Sequence, residues 1–110
     1  MSVEDVNKID SIGIPNDSPN IVSLAISDHL TWDHPIEEHL YKLQQKINTY
    51  ISFIESGEIY EAFPESQGTT LKIIEIYFKY ALPEQTISFL EQVSDVLQSM
   101  NVELRYNILK

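Results

Sequence analysis

Residues 71–80 read L-K-I-I-E-I-Y-F-K-Y. β-Branched and aromatic side chains dominate, and such residues fit a pleated, half-buried surface. Alternation sets Ile74, Ile76, Phe78 and Tyr80 on one face and Ile73, Glu75, Tyr77 and Lys79 on the other. The stretch is expected to form a central strand, for which the rest of the chain must supply neighbours and a covering layer.

On its N-terminal side, residues 57–70 (G-E-I-Y-E-A-F-P-E-S-Q-G-T-T) hold no sustained period and read as a long connection with room for a turn of helix. Before it, Ile36, Leu40, Leu43, Ile47, Tyr50, Ile51 and Ile54 recur at steps of three and four, the stripe of an amphipathic helix. His34-Pro35 marks its start, because a residue before proline avoids helical angles while proline suits the first helical position. Ser56-Gly57 ends it. From Pro35 to Ser56 that helix would be about 33 Å long, enough to span a small sheet. Earlier still, Val22, Leu24 and Ile26 alternate with Ser23, Ala25 and Ser27 as a strand with one buried face. Residues 9–14 (I-D-S-I-G-I) read as a shorter strand, the turn-forming residues 15–20 link the two as a hairpin, and residues 1–6 read as a frayed end.

On the C-terminal side, Leu82-Pro83-Glu84 opens a second helix running to about Met100, with Ile87, Leu90, Val93, Leu97 and Met100 as its stripe and Phe89 and Val96 widening it. Val102, Leu104, Tyr106 and Ile108 then alternate with Glu103, Arg105 and Asn107 as a closing strand. The order is ββαβαβ. Two helices with one apolar stripe each and strands with one apolar face predict an α+β fold: a two-layer sandwich, a four-stranded sheet with both helices on one face. The strand order does not follow from the pattern, but 110 residues suit a single domain over 1–110.

Composition narrows the function. Seventeen Asp and Glu against seven Lys and Arg leave a net charge of −10. Nucleic-acid binding draws on Lys and Arg at phosphates, and Arg105 with six scattered lysines is a poor supply. An anionic membrane surface is disfavoured for the same reason, and no apolar run approaches the roughly 20 residues that cross a bilayer. With no cysteine there is no disulfide, no Cys-ligated metal and no thiol nucleophile. The N-terminus lacks the pattern of a signal peptide, so a cytoplasmic location is expected.

The densest polar stretch, S-D-H-L-T-W-D-H-P-I-E-E-H over residues 27–39, holds all three histidines and the sole tryptophan. Histidine with carboxylate is ligand chemistry for zinc, iron or manganese, which makes Asp28, His29, Asp33, His34 and Glu38 the candidate metal ligands. The spacing argues otherwise. His29, His34 and His39 are five residues apart, which reverses the face of a strand and turns a helix position by about 140°. His39, between Ile36 and Leu43, is read as a partly buried helix histidine. Ser27-Asp28-His29 offers the residue types of a hydrolytic triad, but on a strand Asp28 points away from the other two. No phosphate loop or G-x-S-x-G motif is present. The expectation is therefore no catalytic residue and no cofactor. Trp32 has two readings, a staple under the helix start or an exposed anchor in an interface.

The second cluster, Glu55, Glu58, Tyr60, Glu61, Phe63 and Glu65, alternates acids with large apolar groups. It would suit a basic partner with an apolar pocket, or Ile59 and Phe63 cap the core while the glutamates face water.

The runs I-S-D-H-L-x-W (Ile26 to Trp32), H-L-x-x-L-Q-x-K-I-N-x-Y-x-x-F-I-E-S-G (His39 to Gly57) and F-K-Y (Phe78 to Tyr80) resemble a small bacterial family that is a domain of unknown function. The resemblance extends from about Ile9 to Tyr106. It implies a complete domain from a bacterial cytoplasm, in a Gram-positive host, and carries no activity with it.

The leading expectation is a non-enzymatic interaction module that holds a basic protein partner, an immunity-type inhibitor of a basic toxin being one concrete form. The alternative is a small metal-dependent enzyme or metal sensor built on residues 29–39. A homodimer through an exposed sheet edge is compatible with either.

Overall fold

Alternation along the strands sets the architecture of the residues that the computed structural model describes, 3–32 and 36–109. The elements run β1 (Ser11–Gly13), β2 (Ile21–Asp28), α1 (Ile36–Glu55), α2 (Glu58–Ala62), a 3-10 turn (Pro64–Gly68), β3 (Leu71–Phe78), α3 (Glu84–Gln98) and β4 (Val102–Ile108). The sheet has four strands in the order β1-β2-β3-β4. β1 is antiparallel to β2, as expected of a hairpin, while β2, β3 and β4 run parallel.

Val22, Leu24 and Ile26 of β2, Ile74, Ile76 and Phe78 of β3 and Val102 of β4 share one buried cluster with Leu43, Ile47 and Tyr50 of α1 and Leu90 and Leu97 of α3. Both long helices therefore cover the same face of the sheet, the expected two-layer α+β sandwich. The opposite parity carries Ser27, Arg105 and Asn107 to solvent. There Asn107 Nδ2 donates to Glu75 Oε2 across two strands at 2.9 Å.

Three details depart from the sequence reading. The connection 57–70 is largely ordered into α2 and the 3-10 turn, so the described residues hold three helices rather than two. Gly57 makes the break from α1 to α2 at φ 82°, a left-handed conformation that strains any residue with a Cβ. Val3, read as part of a frayed end, is fully buried, and its N–H donates to Ser27 O at 2.9 Å. Finally, both helices are turned about their axes. On α3, Thr86 is buried where Ile87 was expected, and Ile87 and Val96 are exposed. On α1, His39, Lys46 and Phe53 are buried beside Leu43, Ile47 and Tyr50. The expected start of α1 at His34-Pro35 lies outside the described residues.

Polar partners explain the turn of α1. Lys46 is fully buried, and its Nζ donates to Asp10 Oδ1 at 2.6 Å, Lys8 O at 2.7 Å and Asp5 O at 2.8 Å. All three ammonium donors are used, so the buried head leaves no hydrogen unmatched. The Tyr50 hydroxyl donates to Ala25 O and accepts from Asp10 N–H at 2.9 Å. Asp10 Oδ2 in turn accepts from Ser27 N–H at 3.2 Å. One network thus ties the N-terminal segment, α1 and β2 together.

Burial, partly offset by the hydrogen bond from Asp10 N–H and then reinforced by the Asp10 carboxylate, pushes the Tyr50 phenol above its ordinary value of 10.0. A group whose folded pKa is raised stabilises fully below its unfolded value and loses that contribution as pH climbs through the folded one. Tyr50→Phe should cost about 1–3 kcal/mol near neutral pH, because Ala25 O and Asp10 N–H lose their partner. Above about pH 10 the wild type should lose stability faster than the variant, narrowing the gap. Denaturant melts of both proteins across that range check this, and a gap that stays constant contradicts it.

Candidate functional site

The inward parity of β2 continues through Val22, Leu24 and Ile26 to Asp28, so a carboxylate, 2 % exposed, ends the strand inside the protein. His39, in the first turns of α1 and 4 % exposed, meets it there. His39 Nε2 lies 2.6 Å from Asp28 Oδ2 and 2.8 Å from Oδ1. Its Nδ1 lies 3.1 Å from Thr31 O. Leu30 N–H also donates to Asp28 Oδ1, at 3.1 Å. Trp32 lies over the imidazole, with ring centroids 3.6 Å apart and planes 13° from parallel, and reaches Phe78 of β3 at 6.0 Å.

Hydrogen-bond counting limits what this pair can do. A carbonyl oxygen only accepts, so Nδ1 must donate to Thr31. Nε2 then bonds the carboxyl group in one of two ways: as a second N–H facing a carboxylate, or as a lone pair receiving a proton held by Asp28. In both forms each ring nitrogen is occupied and the ring face is covered by indole. The pair can pin β2 to α1 and the 29–32 turn, but it offers no free base to a substrate. Ser27 lies on the opposite parity and is exposed, so the sequential Ser-Asp-His forms no relay.

An open depression of about 380 Å³ lies beside the pair at the carboxyl ends of β2 and β3, between Asp28-His29 and Tyr77, Tyr80 and Leu109. Burial and then the neighbouring Glu75, by hydrogen bond and by charge, push the Tyr77 phenol up. Two side-chain donors, Trp32 Nε1 and Thr86 Oγ1, are buried without a hydrogen-bond partner.

The metal candidates are not brought together. Asp28 is taken by His39, whereas His29 is exposed and pairs with Glu4 at 3.1 Å. Glu38 faces solvent, and Asp33 and His34 lie outside the described residues. Among the described residues no group of three His, Asp or Glu side chains is placed to hold a metal ion.

The partner-binding candidates divide by chemistry. Glu55, Glu58, Glu61 and Glu65 are exposed. Phe63 is half-buried against the core, above a fully buried Ile59, and Tyr60 is half-buried with Lys72 Nζ 5.2 Å from its ring centroid. Trp32 is half-buried in the stack on His39, which matches the staple reading more closely than an exposed anchor.

Sequence reasoning missed the Asp28–His39 pair and the Lys46–Asp10–Tyr50 network, although part of each signal was present. Asp28 continues the parity of Val22, Leu24 and Ile26. His39, Leu43, Lys46 and Tyr50 share one helical stripe by their steps of four, three and four. An inward-facing acid and two inward-facing bases on neighbouring elements call for partners.

Asp28→Ala leaves His39 buried with an unmatched nitrogen and should destabilise the fold by about 3–5 kcal/mol. His29→Ala, which removes an exposed pair one residue along the chain, should cost less than about 1 kcal/mol. Chemical denaturation of the two variants provides the comparison, and equal losses would refute the structural role of the inner pair.

No curated protein and no solved structure matches the chain. Residues 1–110 match a family of unknown function, DUF6572, and the chain belongs to that family.

Proposed function

We propose that this domain is a non-enzymatic interaction module that holds a basic protein partner on its helical layer. The observation that carries the reading is the one-sided distribution of charge. Glu37, Glu38 and Glu55 of α1, Glu58 and Glu61 of α2, Glu65 of the 3-10 turn, and Glu84, Glu91 and Asp95 of α3 are all exposed. Against them the same elements hold only Lys42, half-buried, and Lys46, which is neutralised internally by Asp10. Like charges crowded on one face repel one another, and a cationic surface docking there relieves that repulsion.

Between α1 and α3 the layer also offers an uncharged groove, with Ile47 and Ile51 on one wall and Phe89, Val93 and Val96 on the other. Val96 is 57 % exposed, an apolar contact within the acidic field. An inhibitor that covers a basic toxin in the cytoplasm is one concrete form of such a module. The absence of an open acid–base pair at the Asp28–His39 centre favours binding over catalysis.

Affinity capture from the native host at low salt should retain a basic protein. Its association rate should fall about tenfold or more as salt is raised to physiological strength. Replacing Glu58, Glu61 and Glu65 together by lysine should abolish capture, while Asp17→Lys in the 15–20 loop leaves it intact. Failure to capture a basic protein, or undiminished capture by the triple variant, would overturn the reading.

A further inference from the structure

We infer that two copies of this chain pair antiparallel through the free edge of β4, about a two-fold axis at Leu104, to form one continuous eight-stranded sheet. The two edges of the sheet are treated differently by the sequence. β1 is three residues long and is soon followed by Pro15, devices that discourage further pairing. β4 is seven residues long, V-E-L-R-Y-N-I, with no proline, glycine or lysine, and it is bonded only on its β3 side. The apolar side chains left exposed on it and just beyond it are Tyr106 at 41 %, Ile108 at 43 % and Leu109 at 54 %.

Charge selects the occupant and the register. Glu103 and Arg105 flank Leu104 and pair with each other along the edge of the single chain; a two-fold axis at Leu104 keeps that match and also sets Glu103 of each copy opposite Arg105 of the other, twice per interface. Directly opposed unlike charges favour an antiparallel pair, and like charges disfavour it. An axis at Glu103 would set Glu103 against itself, and one at Arg105 would do the same for Arg105. An axis at Tyr106 would set Glu103 opposite Leu109. Only Leu104 matches both charges. It also places Tyr106 opposite Val102 on the helix-covered face, where Tyr106 already meets Phe78 edge-on at 6.3 Å.

The inference does not depend on the basic partner, which uses the helical layer. Sedimentation of the full chain over a concentration series, in about 0.15 M salt to screen the net charge, should reach twice the 12.7 kDa chain mass. Glu103→Arg and Arg105→Glu should each weaken the dimer at least tenfold with unchanged far-UV circular dichroism, and the double variant Glu103→Arg/Arg105→Glu should restore it. Because the chain has no cysteine, Leu104→Cys provides a second readout. It should oxidise to a covalent dimer faster than Tyr106→Cys. A wild type that stays monomeric, single variants that dimerise normally, a double variant that does not recover, or faster oxidation at position 106 would each overturn the proposal.

Discussion

The core-facing stripe of α1 carries three polar heads, His39, Lys46 and Tyr50, and each has to be matched inside the protein. Their partners lie at separate places: the carboxylate at the end of β2, the N-terminal segment with Asp10, and the Ala25 carbonyl in the middle of β2. Sliding α1 by one turn along the sheet would strand all three at once. An unmatched buried charge or hydroxyl costs far more than an imperfect apolar contact. The apolar residues make the layers cohere, and the polar matches leave one axial position for the helix.

The same constraint accounts for the behaviour of the N-terminal segment. Val3 fills core space, and the carbonyls of Asp5 and Lys8 complete the shell of Lys46. A segment with little regular structure of its own is thus held by a helix residue some forty positions away. Buried ion pairs add little net stability over apolar packing, but removing one partner is severe. The value of the arrangement lies in specifying a single geometry.

Chemistry follows from the way the titratable groups are used. At the carboxyl ends of the parallel strands, where α/β proteins commonly bind ligands, His39 is bonded at both nitrogens and covered by Trp32. Its neighbours His29 and Glu38 face outward. What remains accessible is surface: an acidic helical layer with an apolar groove, a mainly polar open sheet face, and one unprotected strand edge. They are spatially separate, so the proposed partner on the helices and the proposed second copy at β4 would not compete.

Much of the fold was legible along the chain. Period-two alternation located β2, β3 and β4, the three-and-four spacing located α1 and α3, and Gly57 ended the long helix, because these patterns are local consequences of backbone geometry. The α2 and 3-10 turn between residues 57 and 70 were less visible, since five-residue elements are too short to show a period. The rotation of α1 was hidden for a different reason. A hydropathy stripe counts Lys46 as outward-facing and gives His39 no partner, and only the presence of Asp10 and Asp28 beneath them accounts for their burial.

The sequence by itself determined the order of the strands and the two long helices, the inward parity of β2, β3 and β4, the amphipathic character of both long helices and the acidic balance, all of which depend on neighbours a few residues apart. The tertiary structure alone decided that the strands lie in the order β1-β2-β3-β4, that Asp28 meets His39 across 11 positions, and that Lys46 meets Asp10 across 36. Contacts of that kind depend on where a helix sits along the sheet and how it is turned about its axis. Those are properties of packed layers, and no local period encodes them.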